Sequence, residues 1–189
     1  MARSASAPEP TNASATRDAA GIDTRAFKDA MGRFATGVTV IAADDGDAAH
    51  AMTASSLTSV SLSPPLILFC VGLEARLTPI IRRAGRFAIH ILSEDQRALA
   101  ELCAVGAVEE RLAHLTREEG RPPRLERCLA RLDCDLYAEH PGGDHAIFVG
   151  AVKSLEDATA PPTSQIDQQA SSYPLLWWRS APRGLRELD

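Results

Sequence analysis

A histidine stands where a tight turn becomes an apolar strand. Pro141, Gly142 and Gly143 lead into Asp144 and His145, and the run Ala146-Ile147-Phe148-Val149-Gly150-Ala151-Val152 follows. Such a junction is rigid, partly exposed and polar on one side. An imidazole placed there is available for acid–base or electrostatic work. Taken alone, a histidine at a strand start reads as a structural residue bonded to its turn. Asp144 alternates to the opposite face of a strand, so it is not expected to be its charge partner. No Ser or Cys nucleophile lies in a recognisable elbow, and no GxGxxG, P-loop or HExxH pattern occurs. His90 falls in a buried-looking strand and is expected to be satisfied within the core.

A second chemical signal is the run from Met52 to Pro65, which mixes hydroxyls with apolar residues and stops at Pro64-Pro65. Thr53, Ser55, Ser59 and Ser61 share one parity and would face one way on a single strand. Small hydroxyls admit a flat polar ligand and can donate to its carbonyls or phosphate. Periodicity alone favours the plainer reading, a solvent-facing strand edge. Thr78-Pro79 predicts a helix start whose free N–H groups suit a phosphate, with Arg76 just before it as a pairing cation. Alone, these residues also read as an exposed Arg beside a capped helix.

The elements that must position these residues follow from periodicity. Thr24 is expected to cap a first helix carrying Phe27, Ala30, Met31 and Phe34 on one face, stopping at Gly37. Strands are expected over 36–43, 51–61, 66–71, 86–92, 128–138 and 145–155, with 66–71 buried on both faces and the last two joined across the Gly-Gly turn. A short helix over 79–84 should stop at Gly85. Ser93 and Gln96 predict a capping box for a helix over about 94–104. Residues 105–126 read as a helical excursion followed by a loop, 156–172 as a loop or crossover, and 173–179 as a last strand. Strands dominate, so the class is mainly β, a barrel with a few peripheral helices.

Composition narrows the function. A chain of 189 residues reads as a disordered tail over 1–22 and one domain over 23–189, and the net charge of −5 offers no basic field for nucleic acid or an anionic membrane. The longest apolar run, Leu66 to Gly72, is too short to span a bilayer, and the opening residues lack the apolar segment of a secretory signal. Cys70, Cys103, Cys128 and Cys134 form no CxxC pair and have no histidine at ligand spacing. They read as reduced, buried thiols of a cytoplasmic protein, with no metal site expected.

Four pieces taken in order add a resemblance: Phe34-Ala35-Thr36-Gly37-Val38-Thr39-Val40, then Met52-Thr53-Ala54-Ser55-Ser56 through Pro64-Pro65, then Phe87 to Gln96, then Gly143-Asp144-His145 with Phe148-Val149-Gly150. Together they resemble the flavin reductase family, whose fold is the FMN-binding split β-barrel. The resemblance covers roughly residues 25–155, with a weaker match at Tyr173–Trp178. It implies an NAD(P)H:flavin oxidoreductase, commonly a homodimer, that supplies reduced flavin to a separate monooxygenase component. FMN or FAD would be its flavin, and NADH or NADPH its co-substrate. By resemblance, Thr53, Ala54, Ser55, Ser56 and Ser59 line the flavin and its ribityl-phosphate arm. Cys70, Gly72, Arg76 and Thr78 border the phosphate end, and His145 lies on the nicotinamide side as the catalytic residue. His90, Glu74 and the ending Trp177-Trp178-Arg179 depart from the usual family pattern. The alternative reading is a flavin-binding or electron-transfer module of the same fold without reductase activity. A third is a ligand-free barrel acting as a partner subunit.

Overall fold

The structure, a computed structural model, describes residues 21–157 and 173–184. The expected tail, except for its last two residues, and most of the expected 156–172 crossover lie outside these residues.

Strands dominate. Helix α1 (Thr24–Met31) begins at Asp23 rather than Thr24, because the Asp23 carboxylate accepts from the N–H groups of Arg25 and Ala26. The strands that follow are β1 (Thr36–Gly37), β2 (Thr39–Asp44), β3 (Ala49–Ala54), β4 (Thr58–Leu62) and β5 (Pro65–Gly72). Helix α2 (Leu77–Ala84) leads through Gly85, in the left-handed conformation, into β6 (Arg86–Ile91). The capping box of Ser93 and Gln96 forms as expected; it opens a single 3-10 turn that runs into α3 (Arg97–Val105). The charged stretch then holds α4 (Val108–Leu112) and two short strands, β7 (Leu115–Thr116) and β8 (Arg124–Leu125). The long hairpin is β9 (Ala130–Gly142) and β10 (His145–Asp157), and the chain closes with β11 (Leu175–Trp178) and β12 (Ala181–Gly184).

Seven strands form one antiparallel sheet in the order β3-β2-β6-β9-β10-β5-β4. The expected strand over 51–61 is therefore two strands, one at each edge of this sheet. Residues 55–57 alone connect them, and four chain steps reach about 14 Å at most. Six interstrand spacings of a flat sheet would span about 29 Å. The sheet must curl until its two edge strands approach at one end. Ser56 pins that corner, since its Oγ accepts from the Cys70 N–H at 2.9 Å.

The curl encloses the first core. Phe69 lies 4.9 Å edge-on from Phe87 and 5.6 Å from Phe148, and Leu77, Ile80 and Ile81 of α2 pack into the same cluster. Gly150 faces this cluster, where a Cβ would come within 2.4 Å of the Phe87 ring. A second core lies outside the curl, between Val40, Ala42 and Ala51 of the sheet and Ala100 and Cys103 of α3. β2 and β6 are thus strands buried on both faces. β5, expected to be so, alternates instead, with Ile67, Phe69 and Val71 inward and Leu66, Leu68 and Cys70 half-buried outward. Cys103 and Cys134 are buried, whereas Cys70 and Cys128 are half-buried. All four are free thiols.

His90 is fully buried and satisfied. Its Nδ1 donates to the Val40 carbonyl and its Nε2 accepts from the Leu125 N–H, both at 3.1 Å. That pairing fixes the neutral Nδ1–H tautomer. Burial pushes its pKa down to about 4.

Candidate functional site

The site is built around the end of β5. Its last residue, Gly72, pairs with His145, the first residue of β10. β9 runs through Pro141 and Gly142, so the turn is Gly143-Asp144, one residue later than the Pro-Gly-Gly pattern suggests. Gly143 has a φ of 74°, the left-handed region that favours glycine. Leu73 N–H then donates to the Asp144 carbonyl at 3.0 Å and locks the turn against the end of β5.

His145 projects from this junction with 47% of its side chain exposed, and its Nδ1 meets Asp144 Oδ1 at 2.7 Å. Asp144 is therefore its partner, contrary to the alternation argument. Asp144 is a turn residue, and strand alternation does not govern it. The hydrogen bond from His145 holds the Asp144 carboxyl below its ordinary pKa. With Nδ1 engaged by a carboxylate, Nε2 is the ring nitrogen left to meet a ligand.

The Gly72 carbonyl gathers the next segment. It accepts from the Ala75 N–H at 3.0 Å and from the Thr78 hydroxyl at 2.8 Å. Thr78 is buried within the first turn of α2, and its N–H donates to the Ala75 carbonyl. It is thus not the helix cap. Arg76 holds that position and makes no side-chain cap bond. Among the described residues, the Arg76 guanidinium has no ion-pair partner.

The hydroxyls of the 53–59 region do not form one row. Thr53 Oγ1 donates to the Ala100 carbonyl at 2.5 Å and fastens β3 to α3. The Ala54 carbonyl accepts from Thr39 Oγ1 at 2.8 Å. Ser56 is spent on Cys70, leaving Ser55, which is exposed, with a hydroxyl free for a ligand. Ser59 is exposed on β4 opposite Ile67, five residues and about 17 Å along β5 from Gly72. Direct contacts thus join Ser56 to Cys70, and Gly72 to Thr78 and His145, along the end of β5, with Thr53–Ser55 and Arg76 next to them in the chain, and Ser59 stands apart.

A groove of about 630 Å³ opens beside this cluster, lined in part by His50, Met52, Ala75, Arg76, Ala107 and Arg111. Periodicity did not reveal it. Its members come from β3, the start of α2, and α4, and no spacing links them. The alternation of His50 with Met52 on β3 was the one available sign. His50 is 6% exposed, and its buried Nδ1 meets no hydrogen-bond partner. Burial, then the charges of Arg111 and Arg76, hold its pKa below the ordinary histidine value. The unpaired Arg76 guanidinium in the groove fits a phosphorylated ligand, and the Ser55 hydroxyl on the neighbouring corner has no partner among the described residues.

A family model described as "Flavin reductase like domain" matches residues 31–186. The chain is 45% identical over 131 residues, 69% of its length and 83% of the relative's, to the reductase component of 4-hydroxyphenylacetate 3-monooxygenase from Thermus thermophilus. It is 40% identical over 132 residues, 68% of its length and 74% of the relative's, to an NADH-dependent flavin reductase from Rhodococcus sp.. In structure it resembles a homologue of nitrilotriacetate monooxygenase component B from Mycobacterium thermoresistibile, with a TM-score of 0.76, 29% identity, and 90% and 91% of the two chains covered. The family-model match spans every described strand, and on that ground the chain belongs to the flavin reductase family.

Proposed function

We propose that this chain is an NAD(P)H:flavin oxidoreductase. It passes hydride from a reduced nicotinamide to FMN or FAD and supplies reduced flavin to a separate monooxygenase component. The observation that carries this reading is the convergence of the Thr53–Ser56 corner, the end of β5, Arg76 and His145. Support comes from relatives that are themselves an NADH-dependent flavin reductase and a monooxygenase reductase component.

Flavin, when bound, supplies the ring that takes hydride from the nicotinamide. The rest is alignment by this chain. Ser55 donates to the ligand from the corner that Thr53, Ala54 and Ser56 hold rigid. Arg76 neutralises phosphate, positioned by Thr78 through the Gly72 carbonyl. Cys70 borders the outer face of the sheet, and Ser59 lies opposite Ile67 on β4. His145, tethered by Asp144, presents Nε2 to the nicotinamide side, where it orients the co-substrate and steadies charge in the transition state.

The curled sheet is read here as the split barrel of the family. A second copy is proposed to cover the outward face of β5 and β10, where Leu66, Leu68, Cys70, Ile147 and Val149 are half-buried and Leu62 on the flanking β4 is 93% exposed. A cytoplasmic setting suits the free thiols. Steady-state oxidation of NADH and NADPH, with FMN or FAD added, tests the activity. Turnover that requires flavin supports it. Flavin binding without turnover would make the chain a flavin-binding module.

A further inference from the structure

The groove beside Arg76 has more capacity than a single phosphate needs. Its volume of about 630 Å³ lies within the roughly 300–1,000 Å³ of small-molecule sites. Arg76 stands in its lining, at the cap of α2. Beyond Arg76 the lining alternates in character. Met52, Ala75, Ala104, Ala107 and Val108 give small or flexible apolar surface, and His50, Arg111 and Glu109 give polar groups. Arg111 is held in place by the carbonyls of Gly106, Ala51 and Ala104, at 2.9, 3.3 and 3.4 Å. Among the described residues no carboxylate pairs with it, so its charge is oriented and uncompensated. His50 lines the same wall, with its Nδ1 buried rather than open to the groove.

A fixed cation, an unpaired cation and an apolar shelf are what a phosphate carrying an aromatic base would satisfy. Glu109 adds an acceptor suited to an exocyclic amine or a ribose hydroxyl. We propose that the groove between the start of α2 and α4 takes the adenylate half of a flavin dinucleotide, so that this chain prefers FAD to FMN. The inference rests on the flavin-binding reading above. A flavin whose phosphate reaches Arg76 has its next phosphate and base directed along the groove toward Arg111 and His50.

The test is equilibrium titration of the full chain with FAD and with FMN, followed by flavin fluorescence. The wild type is expected to bind FAD at least about tenfold more tightly than FMN. Ala107, exposed at the cap of α4, can be enlarged without touching either core. Ala107→Trp should fill the groove, weaken FAD by about tenfold and leave FMN within about twofold. His50→Ala should move in the same direction, and Arg76→Gln should weaken both flavins. Equal binding of FAD and FMN by the wild type would overturn the proposal while leaving the flavin reading intact. An Ala107→Trp variant that keeps the FAD preference, or loses both flavins alike, would overturn it too. Failure of the wild type to bind either flavin would overturn the flavin reading and this proposal with it.

Discussion

At the scale of residues, His145 is the group on which the chemistry is staked. Its ring is set by Asp144 at 2.7 Å and by the pairing of its backbone with Gly72. His145→Ala should lower turnover by about 10²–10⁴-fold if the ring steadies transition-state charge, with flavin affinity little changed. A purely positional role would instead raise KM for the nicotinamide with a smaller fall in kcat. Unchanged kinetics in a folded variant would remove His145 from the site. The sequence marked this histidine through its turn and apolar run, but misjudged Asp144, because one residue of turn slippage breaks the alternation rule. It also placed His90 correctly in the core. That burial carries a pH consequence. The His90 pKa is lowered from 6.5 to about 4, so the folded state resists a proton that the unfolded chain accepts. Stability should be level above pH 6.5 and fall as the pH drops from about 6.5 to 4, by about 3 kcal/mol from this group. Chemical denaturation across that range checks it, and a flat profile would contradict the neutral, bonded imidazole.

At the scale of elements, the strands and their partners were mostly legible, and the corner was not. Hydrophobic alternation marked β6 and β9, an apolar run after the Gly-Gly turn marked β10, and Gly85 and the Ser93–Gln96 capping box marked helix ends. The break between β3 and β4 left no punctuation by Gly or Pro, since Ser55, Ser56 and Leu57 are compatible with a continuing strand. Only sheet curvature, a non-local property, separates them. The same non-locality explains Gly150. It was legible as part of a motif, and its reason is the Phe87 ring, 2.4 Å from where a Cβ would stand. Gly150→Ala should cost about 1–3 kcal/mol of stability through displacement of that ring. Thermal or urea unfolding reads the loss, and an unaltered midpoint would show that the aromatic cluster has room to yield.

At the scale of the whole molecule, apolar surface points to association. Phe27, Met31 and Phe34, expected to share one face of a helix, are 57%, 53% and 68% exposed. Phe27 and Met31 lie on α1, but the helix ends at Gly32 rather than Gly37, so Phe34 falls beyond it, and all three stay open among the described residues. Together with the outward strip on β5 and β10, this predicts a homodimer. Sedimentation at micromolar concentration should give twice the chain mass, and a monomer there would contradict it. The groove between α2 and α4 was likewise invisible in the sequence, because it is assembled from segments that no spacing connects. The central claim is that this fold brings a nicotinamide and a flavin together for direct hydride transfer. An anaerobic single-turnover experiment tests it most directly, with the protein mixed with FMN or FAD and then with NADH or NADPH. The account predicts enzyme-dependent bleaching of the flavin's visible absorbance, one reduced flavin for each nicotinamide oxidised. No bleaching with any of the four combinations would contradict it.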